Sequence, residues 1–223
     1  MQVIPQPCPL CRKLSSFAYE ADNVPWYECS CGIVYQQNIP NRVPSEHEAV
    51  GTHHVKTYSS VIEDLTYGRK MLDVGFASMD TQNLFKERGW ITFGIDDCPS
   101  IEETDRIVNE DFETTAKLYR QDYNLIWMVH VLEKFVNPVG ALRKSYKMLE
   151  NNGLMFIATP DVDTLKLNRK WQYWKKDENY IFWSERSIHS ELERIGFKVI
   201  LSRKNSSVRF GYCDDLHIIA QKK

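Results

Sequence analysis

At 223 residues the chain can bury one sizeable core, with roughly thirty to sixty residues left for an appended module. Its 43% hydrophobic and 26% charged residues exclude a disordered composition, and a formal net charge of -2 offers no general basic field for nucleic acid. No apolar run reaches the length of a membrane span and no basic-then-apolar leader opens the chain, so a cytoplasmic protein without a membrane partner is expected.

Four of the six cysteines crowd into the first thirty-one residues as Cys8-x-x-Cys11 and Cys29-x-Cys31. The seventeen residues between these knuckles include Phe17, Tyr19, Trp26 and Tyr27. Two knuckles at this spacing read as a zinc ribbon over residues 1–40, because four thiolates close a tetrahedral site and so short a segment lacks the core to fold without a staple. Cys8, Cys11, Cys29 and Cys31 are the expected ligands of a structural Zn2+, although the second knuckle has one intervening residue where two are usual. His47, His53 and His54 are spare ligands; with no fixed spacing to the knuckles they read first as surface histidines. Cys98 and Cys213 stand alone and carry no assigned chemistry.

Asn38 to Pro44 holds two prolines and reads as a linker. Residues 41–60 form this linker and a leading helix, with Tyr58, Val61, Ile62 and Leu65 at helical spacing, and the main domain spans 61–223. Lys70 to Val74 is an apolar strand that stops at Gly75 and hands over to a helix from Thr81 to Arg88, closed by Gly89. Ile91 to Ile95 is a second strand ending in Asp96, and Ile107-Val108 a third, followed by Asn109-Glu110-Asp111-Phe112 and a helix through Ala116, Leu118 and Tyr119. Tyr123 to Val129 is apolar throughout, as a central strand covered on both faces requires, and ends at His130.

Asn137-Pro138 caps the next helix, which keeps its period through Val139, Leu142, Tyr146 and Leu149. A strand from Leu154 to Ala158 ends at Thr159-Pro160. Residues 161–183 break the alternation with Trp171, Tyr173, Trp174, Tyr180, Phe182 and Trp183 among cations. Ser184 then caps a helix through Ile188, Leu192 and Ile195 that stops at Gly196, and the runs 197–201 and 216–220 close the chain, the last as an antiparallel strand. Alternation of this regularity predicts an α/β fold: a doubly wound, mostly parallel seven-stranded sheet with helices on both faces, preceded by the ribbon.

Met71-Leu72-Asp73-Val74-Gly75, Phe93-Gly94-Ile95-Asp96, Asn109-Glu110-Asp111-Phe112, Val129-His130-Val131-Leu132-Glu133 with Asn137-Pro138, and Gly153 to Pro160 together resemble the class I S-adenosylmethionine-dependent methyltransferases, over roughly residues 60–220. The likeness is nearest to the branch that includes ubiquinone-pathway and sugar methyltransferases, and Gly32-Ile33-Val34-Tyr35 resembles the pattern after the second knuckle of ribbons that precede some glycan and natural-product methyltransferases. The resemblance implies S-adenosylmethionine as cofactor, with Asp73, Gly75 and Ala77 at its methionine end, Asp96 with Asp97 at the ribose hydroxyls, and Asp111 with Phe112 at the adenine. The loop departs from the family's glycine-rich pattern: Ala77 can replace a glycine there if its φ is negative, and Phe76 stands where it could crowd the methionine.

A methyl sulfonium needs alignment with its acceptor and exclusion of water more than activation. His130, at the carboxyl end of a central strand, is the expected general base, its unperturbed pKa near 6.5 suiting neutral pH, with Glu133 orienting it. Lys134 occupies the place of a second family histidine, which argues against a dyad. Trp171, Tyr173 and Trp174 in the 161–183 segment are the expected substrate-covering residues, suited to a small-molecule or glycan-type acceptor such as a saccharide or nucleotide sugar. O-methylation of such an acceptor is the expected reaction. The alternative is a catalytically degenerate scaffold whose ribbon binds nucleic acid or a protein partner, although Arg12, Lys13 and Arg42 against Glu20, Asp22 and Glu28 give the ribbon a poor footprint for nucleic acid.

Overall fold

A computed structural model describes residues 6–21, 23–37, 52–120, 122–165, 173–174, 177–206 and 214–223. In chain order the elements are β1 (Gln6–Pro7), β2 (Leu14–Ala21), β3 (Val24–Glu28), β4 (Ile33–Gln36), α1 (Thr52–Leu65), β5 (Lys70–Val74), α2 (Asp80–Glu87), β6 (Ile91–Asp96), β7 (Ile107–Asn109) and β8 (Tyr123–Val129). A 3-10 turn at Leu132–Lys134 follows, then α3 (Pro138–Met148), β9 (Leu149–Pro160), α4 (Val162–Leu165), β10 (Ile181–Trp183), α5 (Glu185–Ile195), β11 (Phe197–Ser206) and β12 (Asp214–Lys222).

Seven strands form one sheet in the order β11-β12-β9-β8-β5-β6-β7. The five from β5 to β9 are parallel, β12 runs antiparallel beside β9, and β11, antiparallel to β12, returns to the common direction. Alternation along β5 sorts its side chains: Met71 joins Val55, Tyr58 and Ile62 of α1, while Leu72 and Val74 face Leu142 of α3 and Ile188 and Leu192 of α5. β5 pairs with β6 on one side and β8 on the other. Strand order reverses there, which opens a crevice at the carboxyl ends of the strands where a doubly wound sheet receives its ligands.

Three local expectations are corrected. The helix through Ala116, Leu118 and Tyr119 is absent, and residues 110–120 form turns. Lys144 Nζ takes the carbonyls of Phe112 and Thr115, hydroxyls of Thr114 and Thr115 bond acidic neighbours, and Leu118 lies at φ 55°, so the segment's hydrogen bonds go elsewhere. The helix expected to continue to Leu149 ends at Met148, and β9 starts at once, five residues earlier than expected. β11 likewise extends to Ser206 through its pairing with β12.

The N-terminal strands form an antiparallel sheet in the order β1-β2-β3-β4-β10, so the last strand comes from beyond residue 180. Trp26 stacks on Phe182 at 5.1 Å and meets Trp174 edge-on at 4.8 Å. Cys8, Cys29, Ile33 and Tyr35 belong to the same buried cluster as the α3/α5 face of the large sheet. The junction is also polar: Ser184 N–H and the Ser187 hydroxyl both donate to the Gly32 carbonyl, at 3.0 and 3.3 Å. Ser184 and Ser187 form a reciprocal capping box that starts α5 at this contact.

Gly32 lies at φ 101°, and a Cβ there would collide with the Ser184 hydroxyl. Gly89 has a similar φ of 82° with nothing within 4 Å. Gly32→Ala is therefore expected to lower stability in urea by about 1–3 kcal/mol more than Gly89→Ala, whose cost is limited to left-handed backbone strain of about 1–2 kcal/mol. Equal losses would mean that the Gly32 contact with α5 contributes nothing.

Candidate active site

The loop after β5 is built on Asp96. Its Oδ2 accepts from Ala77 N–H at 2.9 Å and its Oδ1 from Cys98 N–H at 2.8 Å, so one buried carboxylate ties the β5–α2 loop to the end of β6. Gly75 N–H extends the ladder by donating to the Ile95 carbonyl at 2.8 Å. Gly75 lies at φ 69°, and a Cβ there would come within 2.6 Å of Val131 Cγ2, so glycine is required by both its conformation and this approach. Ala77 lies at φ 53°, so the condition of a negative φ for its standing in for a glycine is not met, and its bond to Asp96 holds the left-handed turn. Phe76 is buried with Cε1 2.8 Å from where a Gly94 Cβ would stand, packed over β6 beside Gln82 and Ile107.

Asp73 is buried on the α1/α2 side of β5, and its Oδ2 has no partner. Loss of solvent, with Asp96 nearby, raises its carboxyl well above the ordinary range. Asp97 is buried directly after Asp96. Asp111 closes a turn at the end of β7, accepting from Glu113 N–H at 3.0 Å and from the Thr114 hydroxyl at 3.2 Å. Phe112 is 3% exposed, with Lys144 Nζ 4.9 Å from its ring centroid and the Phe135 ring 5.9 Å away. Its expected role as an open face for a base is corrected: the ring is a core side chain, because the long α3 lysine lies over it.

His130 follows β8 in a left-handed conformation, φ 51°, while its N–H still donates to the Ala158 carbonyl at 2.9 Å. That turn carries the imidazole between two carboxylates. Nδ1 lies 3.5 Å from Glu133 Oε1, and Nε2 lies 3.2 Å from Asp215 Oδ2. Burial alone would lower its pKa, but Asp215 and then Glu133 outweigh this and push it up to about 10. The two carboxylates thus favour a proton on His130, where its unperturbed value was expected. Glu133 is fully buried, and its Oε2 accepts the Thr159 hydroxyl at 2.9 Å.

Tyr173 stacks on His130 with centroids 5.5 Å apart and planes within 8°. Trp174, its immediate neighbour, is buried instead against Trp26, Tyr19 and Phe182, in the contact with the N-terminal sheet. Trp171 and the linker at 38–51 lie outside the described residues, as do His47 and Cys213.

The sequence reading missed Asp215, Tyr58 and His217, and it took His54 for a surface residue. His54 is fully buried in the first turn of α1, 4.6 Å from the His217 ring and 6.5 Å from that of His130. Desolvation lowers His54 to about 2 and His217 to about 4, so both are neutral. Tyr58 Oη and His217 Nδ1 share a hydrogen bond of 2.7 Å. The Asp-x-His order of Asp215 and His217 in β12 carries no catalytic signature; only their alternate placement on one face of a strand could have hinted at it.

In the ribbon, Cys8 Sγ and Cys31 Sγ are 3.7 Å apart and Cys11 Sγ and Cys29 Sγ 3.4 Å. A tetrahedron with bonds of about 2.3 Å has edges of about 3.8 Å, so the four sulfurs fit one metal ion. N–H groups of Leu10 and Cys11 point at Cys8 Sγ and that of Cys31 at Cys29 Sγ, a pattern that favours thiolates. The Cys31 thiol holds Cys8 down at about 5 and is itself raised by that thiolate.

A family model described as a methyltransferase domain matches residues 51–202, and the chain belongs to that family. No match to a curated protein sequence was found. Among solved structures, a chain from the complex between the Haloferax volcanii Trm112 methyltransferase activator and a putative methyltransferase is 14% identical, covering 76% of this chain and 90% of that one at a TM-score of 0.59. A putative S-adenosylmethionine-dependent methyltransferase from Listeria monocytogenes is 12% identical over 76% and 99% of the two chains, with a TM-score of 0.56. The Burkholderia thailandensis 1,6-didemethyltoxoflavin-N1-methyltransferase, solved with its substrate and S-adenosylhomocysteine, is 11% identical over 93% and 99%, at 0.57. At these identities the likeness is one of fold.

The buried Asp73 makes stability depend on pH in a definite direction. A carboxyl with a higher pKa in the folded than in the unfolded chain costs nothing below the unfolded value near 3.9, and its cost grows by up to about 1.4 kcal/mol per pH unit toward the folded value. Urea unfolding of Asp73→Asn against the parent chain should therefore show a stability difference that moves in the variant's favour by about 1–3 kcal/mol between pH 4.5 and 7.5. A difference independent of pH would assign the burial cost elsewhere.

Proposed function

We propose that this member of the methyltransferase domain family transfers the methyl group of S-adenosylmethionine to an oxygen of a small-molecule or saccharide-type acceptor. The observation that carries the reading is the Asp96 carboxylate, fixed by two loop N–H groups at the strand-order reversal, with His130 on the adjoining β8 side of the same crevice. The residues suit the cofactor. Each Asp96 oxygen keeps a lone pair for a ribose hydroxyl, Gly75 presents backbone without a side chain, and the orphaned Asp73 Oδ2 is an acceptor near the methionine end. Asp97 and Asp111 lie at the ribose and adenine ends, with Phe112 supporting that wall from the core.

S-Adenosylmethionine, when bound, supplies an electrophilic methyl sulfonium. The protein's contribution is to align and to manage one proton. Held between Asp215 and Glu133, His130 is fixed beside the acceptor, with Tyr173 stacked against it as one wall. The described groups beside it able to take a proton are the two carboxylates, of which Asp215 Oδ1 has no partner. The ribbon binds a structural Zn2+ through Cys8, Cys11, Cys29 and Cys31 and, through β10 and α5, stiffens the segment that carries Tyr173. A second reading, a catalytically silent scaffold, draws support from Val131, whose methyl occupies the space over Gly75.

Calorimetry with S-adenosylhomocysteine separates the two. Saturable one-to-one binding, lost in Asp96→Ala and worth about 2.7 kcal/mol of stabilisation at a hundredfold excess over Kd, is expected; absence of heat and of a thermal shift selects the scaffold. His130→Gln should then bind the product normally while turnover with a competent acceptor falls at least about tenfold; unchanged turnover removes His130 from the site. Metal analysis of the parent chain should find zinc that Cys11→Ser loses together with several degrees of Tm, and retention of that zinc would move the metal off the thiolates.

A further inference from the structure

The group that the proposed reaction leaves unexplained is His54. It is fully buried, and among the described residues neither ring nitrogen has a hydrogen-bond partner, although a neutral imidazole offers one donor and one acceptor. Burying both unpaired is costly unless something else sits there. Its neighbours are ligand types. One donor atom each of His54, His130 and Asp215 lies within 4.8 Å of the others, and the His130 Nε2 to Asp215 Oδ2 separation of 3.2 Å is already that of two ligands on one ion.

The surroundings of His130 suit coordination as well. With Nε2 toward Asp215, its Nδ1 faces Glu133, whose other oxygen is held by Thr159. A carboxylate behind the distal nitrogen is the usual support for a metal-bound histidine, because it fixes the ring and the tautomer. Glu133 and Asp215 both face His130, and a divalent ion would take the place of the proton on its Nε2, since a ligating imidazole nitrogen must be deprotonated. His217, tied to Tyr58, packs edge-on against the His54 ring and holds it toward the pocket.

We propose that His54, His130 and Asp215 bind a divalent transition-metal ion. Two imidazole nitrogens and one carboxylate oxygen suit Mn2+, Fe2+, Co2+, Ni2+ or Zn2+ better than Mg2+ or Ca2+, which prefer all-oxygen shells. Three protein ligands leave coordination positions open, as sites that receive a substrate oxygen do. His54 must move toward the other two, since ligand atoms around an ion with bonds of about 2.1 Å stand about 3.0–3.5 Å apart. Ion binding stands apart from the methyl-transfer reading; delivery of an acceptor oxygen to the ion rests on that reading.

The test uses the full chain with its ribbon loaded with zinc, titrated with Co2+ and followed by visible absorption and by metal content after desalting. The expected result is one Co2+ per chain in addition to the ribbon zinc, with weak d–d bands and no sulfur-to-cobalt charge-transfer band. His54→Gln and Asp215→Asn, each confirmed as folded by circular dichroism, should weaken Co2+ binding at least tenfold while keeping the ribbon zinc. Failure of the parent chain to take up Co2+, cobalt that carries thiolate charge transfer because it has displaced the zinc, or undiminished affinity in either folded variant overturns the proposal. The parent titration decides even if both variants misfold, for a chain that binds no additional Co2+ has no such site, and a second ion held without thiolate bands supports one. Binding of S-adenosylhomocysteine, measured separately, reports on the cofactor reading without reference to this ion.

Discussion

Parallel pairing of β5 with both β6 and β8 is the constraint on which the rest of the molecule depends. It places the carboxyl ends of three strands side by side and sends the following loops apart, the place at which a doubly wound sheet receives its ligands. Asp96 then draws the first loop back over the crevice through Ala77 and Cys98. The left-handed residues Gly75, Ala77 and His130 all stand at this edge. Backbone conformations that cost about 1–3 kcal/mol each persist where surrounding bonds determine them, and they collect where a chain must present backbone or a functional side chain to a ligand.

The two ends of the crevice differ in their electrostatics. On the β6 side a carboxylate is satisfied by backbone N–H groups and keeps acceptor capacity, as recognition of hydroxyls demands. On the β8 side an imidazole lies between carboxylates, and neutral histidines stand behind it in an apolar wall. Low dielectric strengthens each of these interactions and makes an unpaired group costly in the same measure. Among the described residues the nitrogens of His54 and Oδ1 of Asp215 have no hydrogen-bond partner, which makes them the costly groups of this region.

The small N-terminal sheet is tied to this arrangement rather than strung ahead of it. β10 completes it, α5 begins on its Gly32 carbonyl, and its cysteines share a buried cluster with the α3/α5 face. Trp174 is committed to that contact while Tyr173, its immediate neighbour, stacks on His130. One segment thus has one aromatic packed against the N-terminal sheet and the next against His130.

The sequence by itself determined the alternation of strands and helices, the stop signals at Gly75, Gly89 and Gly196, the caps at Asn137 and Ser184, and the four-cysteine cluster, because each of these depends on residues within a few positions of one another. Asp96 and His130 were legible for the same reason: both end an apolar strand, and a strand end in a parallel sheet has a known address. What only the tertiary structure decided was the company these residues keep. Ala77 takes a left-handed turn because a carboxylate nineteen residues away captures its N–H, Phe112 is covered by a lysine thirty-two residues on, and His130 faces a second carboxylate because Asp215 arrives on the antiparallel β12. His54 is buried because α1 lays its first turn beside that strand. Such encounters leave no period or spacing in the sequence, since they are set by how the sheet orders its strands and not by the residues between them.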